Sequence, residues 1–120
     1  MTRTTIIAAG SFLICHCAFA HHSDAALEMD AVLTFEGTVV EYTLRNPHAY
    51  FAVETEGPDG ASVIWEVQMA SALSMSRRGW DQSTLSVGDQ VRAGVRPARD
   101  GRSYGLYVFL EREGVPVSYE

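Results

Sequence analysis

The sequence has 120 residues, 47% apolar and 20% charged, with four prolines, which fits one small globular domain and excludes a multidomain enzyme. Its nine basic residues are all Arg and stand against fifteen acids, for a net charge of −6. An acidic surface repels phosphate backbones, and on that ground nucleic acid is set aside as a partner.

The chain opens like an export signal. Arg3 supplies the positive start, residues 6–14 form an apolar run too short to anchor in a bilayer, and Ala18-Phe19-Ala20 is the pattern behind which a signal peptidase cuts. Residues 1–20 are therefore expected to be removed, leaving a periplasmic or secreted protein with no membrane span. A lipoprotein anchored at Cys15 is the alternative, but Ile14 is large where a small residue should precede that Cys. Cleavage after Ala20 removes Arg3, Cys15 and Cys17 and keeps all fifteen acids, so His21 to Glu120 carries −7 and no thiol.

The mature chain divides into an arm over 21–30 and a β domain over 31–120. Within the arm, Ser23 is a possible N-cap, and both a short helical turn and an unstructured start fit the composition. Residues 31–46 alternate as a long first strand, with Leu33, Phe35, Gly37 and Val39 on one face and Val32, Thr34, Glu36, Thr38, Val40 and Tyr42 on the other. Gly37 is expected to mark a bend or bulge. Asn46-Pro47 ends the strand, because Pro47 has no N–H to donate. Strands follow at 48–54 and 62–68 around a turn at 56–60.

The period then changes. Ser71 as N-cap, Arg77 and Arg78 in the last turn and Gly79 beyond it predict one short helix, with Leu73 and Trp80 near one stripe. Strands at 90–95 and 104–111 flank a hairpin turn at Asp100-Gly101. Five strands with one helix between the third and fourth is the order of the OB-fold, a five-stranded Greek-key barrel, with a helix-capped antiparallel β-roll as the other arrangement. An OB barrel offers a ligand groove over strands 2 and 3, which locates a site without naming a function.

Several short motifs occur in one order: His21-His22-Ser23, Gly37-Thr38-Val39, Asn46-Pro47-His48, Trp65, Arg77-Arg78-Gly79-Trp80, Gly88-Asp89 and Pro97-Ala98-Arg99-Asp100-Gly101. Together they resemble the short exported bacterial proteins of domain of unknown function family 6152, over essentially 21–112. The resemblance implies a layout and no activity. This chain departs from it in having Ala49-Tyr50 after His48, where a bulkier β-branched or aromatic residue is expected first.

Two functional readings stand side by side. In the first, cleavage makes His21 the amino terminus, so that its α-amine and imidazole chelate one cation, with His22 and His48 as further donors. Such nitrogen donors favour copper, while zinc is disfavoured by the absence of Cys. In the second, no metal is involved, and Tyr50, Trp65, Arg77 and Arg78 serve a groove that takes a small anion, a glycan or a periplasmic partner protein. Each set also has a plain structural use: a soluble leading arm for the histidines, helix-dipole pairing for the arginines, a core for the aromatics. No nucleophile elbow, phosphate loop or dinucleotide fingerprint is present, and nothing in the sequence tunes Glu54 and Glu66 as an acid–base pair, so a binding protein rather than an enzyme is expected.

Overall fold

The computed structural model describes residues 24–117, with Asp24 described in its backbone only. The expected leader and the His21-His22 pair lie outside the described residues. After a 3-10 turn at Asp24–Ala26 come β1 (Leu33–Thr43), β2 (Tyr50–Glu56), β3 (Ser62–Gln68), α1 (Ala72–Arg77), β4 (Gln90–Pro97), β5 (Tyr104–Arg112) and a two-residue β6 (Val115–Pro116). The sheet runs β3-β2-β1-β4-β5-β6, and a parallel pairing of β3 with β5 closes the first five strands into a barrel. This is the OB-fold arrangement expected from the element order, with β6 added as a short return against β5.

β1 serves two neighbours in succession. Its first half pairs with β4 from Leu33↔Val95 to Thr38↔Gln90, and its second half pairs with β2 from Thr38↔Glu54 to Thr43↔Tyr50. Gly37 sits where the strand changes partners, and a Cβ there would run into the Glu54 carbonyl oxygen and the Val53 side chain. The bulge itself falls between Val39 and Glu41. It inserts one residue and reverses the alternation, so Tyr42 packs against the core with Phe35 and Val39 instead of facing away with Val32 as the unbroken alternation predicted.

β2 begins two residues later than expected, because Asn46, Pro47 and His48 remain loop; the Asn46–Pro47 peptide bond is cis. Ala49 still donates to the Ala70 carbonyl at 2.9 Å and accepts from Met69 at 2.8 Å, which holds the loop against the end of β3. The helix starts as the capping residues dictate: the Ser71 hydroxyl accepts from the Ser74 N–H at 3.2 Å, and Gly79 turns the chain at φ 86. Leu73, placed by its spacing on the packed stripe, is exposed, while Met75 is fully buried beside Trp80. With only six residues, α1 buries what lies over the barrel end rather than a full stripe.

The core joins Val39, Phe51, Val53, Val67, Met69, Val91, Ala93, Val95 and Leu110 from the strands to Met75, Trp80 and Leu85 from the α1 segment. At the other end the arm is stitched to β4. Leu27 bridges Ala98, Glu28 donates to the Pro97 carbonyl at 2.8 Å, and Arg99 donates to the Ala26 and Leu27 carbonyls, both at 2.9 Å.

Candidate functional site

Val67 on β3 and Met69 just beyond it are buried in the barrel, so the alternation turns Glu66 and Gln68 outward. Tyr50 is paired with Gln68 across the β2–β3 ladder, which sets the two side chains together on the outer face. Tyr104 joins them from β5: it is registered with Glu66, and its hydroxyl lies 2.5 Å from Gln68 Oε1. The 44–49 loop overhangs this face. Its position is fixed from the far side, because the first N–H of α1, on Ala72, is shared between the Arg45 carbonyl at 3.0 Å and Asn46 Oδ1 at 3.1 Å.

The result is a cleft of about 360 Å³ lined by Arg45, Asn46, Pro47, His48, Tyr50, Glu66 and Gln68. The Arg45 guanidinium lies 4.8 Å from the centre of the Tyr50 ring, and the Tyr50 hydroxyl is donated to the Glu41 carboxylate. At the β5 side the same arrangement recurs, with Arg102 4.8 Å from the Tyr104 ring and 3.2 Å from Asp100. Burial pushes the Tyr104 phenol above the usual tyrosine range, the nearby Glu66 charge adds to the rise, and Arg102 opposes it. Among the described residues, Arg45, His48 and Glu66 form no ion pair and no side-chain hydrogen bond.

The residues singled out in the sequence separate into two groups. Tyr50 and His48 line the cleft, with His48 exposed on its rim. Trp65 does not: it lies on the inward side of β3, stacked on Phe35 with ring centroids 4.9 Å apart, because a strand sends neighbouring residues to opposite faces. Arg77 and Arg78 are exposed at the far end of α1, and it is the start of the helix that touches the cleft loop. The cleft residues that motif reading passed over are Arg45 and Gln68. Gln68 is recoverable from the strand period once Val67 is placed inside, whereas Arg45 arrives through loop geometry. Among the described residues no group of three or more His, Cys, Asp or Glu side chains is placed to hold a metal, and His21 and His22 lie outside them. Among the same residues no helix is long and apolar enough to cross a membrane.

The family described as "Family of unknown function (DUF6152)" matches residues 11–108. No curated protein matches the sequence. Among solved structures, the mitochondrial single-stranded DNA binding protein Rim1 of S. cerevisiae is similar over 71% of this chain and 95% of its own, at 9% identity and a TM-score of 0.51. The small single-stranded DNA-binding protein from Streptomyces coelicolor is similar over 69% of this chain and 91% of its own, at 18% identity and a TM-score of 0.43. At its identity the likeness to Rim1 shows the fold. It also corrects the partner expectation drawn from composition. A single-stranded DNA-binding protein is built on the same barrel, so a chain total of −6 gives no ground for setting nucleic acid aside. What decides is the charge of the ligand face itself, which the chain total does not report.

Proposed function

We propose, for a chain that belongs to the family of unknown function DUF6152 and inherits no assigned activity from it, that this is an exported binding protein whose small polar ligand sits in the cleft over β2 and β3. The observation that carries this reading is the cleft itself. It lies on the outer face of β2 and β3 beside the β1–β2 loop, where OB barrels commonly take ligands, and it holds Arg45, His48 and Glu66 around the Tyr50 ring with no ion pair among the described residues. The sequence-level groove is thereby narrowed to Tyr50 and its neighbours, without Trp65, Arg77 or Arg78.

The test is an amide NMR titration of the processed protein with sugars, carboxylates, amino acids, short peptides and a single-stranded oligonucleotide, each with and without a chelator. A small ligand should give saturable, chelator-independent shifts concentrated at residues 45–50, 66–68 and 102–104, and Tyr50→Ala should weaken it at least tenfold. Saturable shifts from the oligonucleotide alone would put a strand on this face in place of a small molecule. Shifts centred on Arg77 and Arg78 would overturn the location.

A second reading keeps copper at the processed terminus, with His21 and His22 as donors and His48 as a third. Its support is the exposed His48 imidazole on the cleft rim, without a partner among the described residues, together with the affinity of an amine–imidazole pair for Cu(II). Intact mass of the exported protein and Cu(II) titration followed by electron paramagnetic resonance test it. A start at His21 with one tightly held, nitrogen-rich Cu(II) supports the reading, and full affinity in a protein carrying a blocked amine overturns it.

A further inference from the structure

We infer that the cleft is built for a zwitterion: a small molecule carrying a carboxylate and an ammonium group, of the amino-acid or short-peptide class. This inference rests on the cleft reading above and adds the ligand's charge pattern.

Most charges around this face are already engaged. Glu41 accepts from the Tyr50 hydroxyl, Glu54 accepts from Ser62 at 2.5 Å, and Arg102 pairs with Asp100. Arg92, Arg99 and Arg112 are held by Glu111, Glu28 and Asp89 elsewhere on the barrel. Arg45 and Glu66 stand apart from this pattern, since they line one cleft with opposite charges and form an ion pair neither with each other nor with any other described residue.

The loop and the sheet register set them at different points of the cleft. Arg45 lies over Tyr50, whose ladder partner is Gln68, whereas Glu66 is registered with Ala52. One two-residue step along a strand is about 7 Å, so the two groups belong to different positions along the cleft. The Arg45 guanidinium is held over the Tyr50 ring. A positive and a negative group are thus held at the two ends of a floor made by Tyr50 and the Gln68 amide. A carboxylate suits the guanidinium fork at one end, an ammonium suits Glu66 at the other, and the Gln68 amide can bond either a peptide N–H or its carbonyl between them. A ligand with one charge would leave the opposite protein charge facing it unmatched.

The experiment is isothermal titration of the processed full-length protein with L-alanyl-L-alanine, its N-acetyl derivative and its C-terminal amide, with L-alanine and a neutral disaccharide alongside. Alanyl-alanine or alanine should bind, and blocking either charged end should weaken binding at least tenfold. Glu66→Gln should weaken the dipeptide by a similar factor while leaving the N-acetyl derivative unchanged, and Arg45→Gln should do the converse with the amide. Equal affinity for the dipeptide and both blocked forms overturns the charge assignment. Binding of the disaccharide alone, mapped to Tyr50 and Gln68, overturns the zwitterion and keeps the cleft. Absence of any cleft-localised binding by all five compounds overturns the zwitterion, and if the wider NMR panel also leaves 45–50 unmoved, the cleft reading falls with it.

Discussion

The indole of Trp65 lies on the Phe35 ring with 22° between their planes, joining β3 to β1 although neither strand is hydrogen-bonded to the other. The stack crosses the barrel interior and is therefore a packing element. Trp65→Ala should lower unfolding free energy by about 2–4 kcal/mol in urea titrations, through lost burial and a lost aromatic pair. The folded fraction of the variant should bind its ligand with unchanged affinity. A specific loss of binding in that fraction would return Trp65 to the site.

Gly37 allows β1 to hand over from β4 to β2. Gly37→Ala would push a methyl group onto the Glu54 carbonyl, which is fixed in the β2–β3 ladder and cannot swing aside as a side chain would. The expected cost is about 1–3 kcal/mol, read as a fall in thermal midpoint. An unchanged midpoint would show that the strand does not need its close approach at this point.

The start of α1 offers a graded pair of variants. Ser71→Ala removes the cap on Ser74 and should cost about 1 kcal/mol. Asn46→Ala should cost less, because the Arg45 carbonyl continues to accept from the Ala72 N–H. If the order is reversed in chemical denaturation, the Asn46 side chain is carrying more of the loop than its shared hydrogen bond accounts for.

Tyr104 gives the fold an alkaline boundary. Its phenol is raised first by burial and then by the Glu66 charge, so the folded state favours the neutral form. That contribution is complete below the unfolded tyrosine value of about 10 and is lost as pH rises through the higher folded value. Glu66→Gln should bring the Tyr104 transition back toward the ordinary range in a tyrosinate absorbance titration, assigned by its disappearance in Tyr104→Phe. A transition that stays in place after Glu66→Gln would leave burial as its only cause.

The strands and helix were legible because their signals are local. Ser71 and Gly79 bracket α1, and alternation located β3 to the residue. Tyr42 faces opposite to the unbroken alternation because a bulge at Val40 reverses the strand period without any mark in composition. The cleft was half legible. The Asn46-Pro47-His48 break announced a loop beside β2, but Arg45 is an ordinary charged residue until the loop folds over Tyr50. Tyr104 reaches Gln68 only through a parallel pairing of strands 36 positions apart, which no sequence period encodes. Trp65 misled because a large aromatic near a groove looks like a platform, and only its parity with Val67 shows that it faces inward.

The β3–β5 ladder that closes the barrel is also its shortest seam, joining Glu66, Val67 and Gln68 to Tyr104, Gly105 and Leu106, while the other four ladders are longer. In a native-state hydrogen-exchange experiment this is where the wall should part first, at a free energy below that of global unfolding. The cleft floor lies on one lip of that seam and Tyr104 on the other. A molecule bound across them would work as a rivet, so occupancy should be recorded as slowed exchange along β5 as well as in the loop it touches. A ligand held across the seam would couple its own binding to barrel closure, so that loosening the wall would weaken its hold.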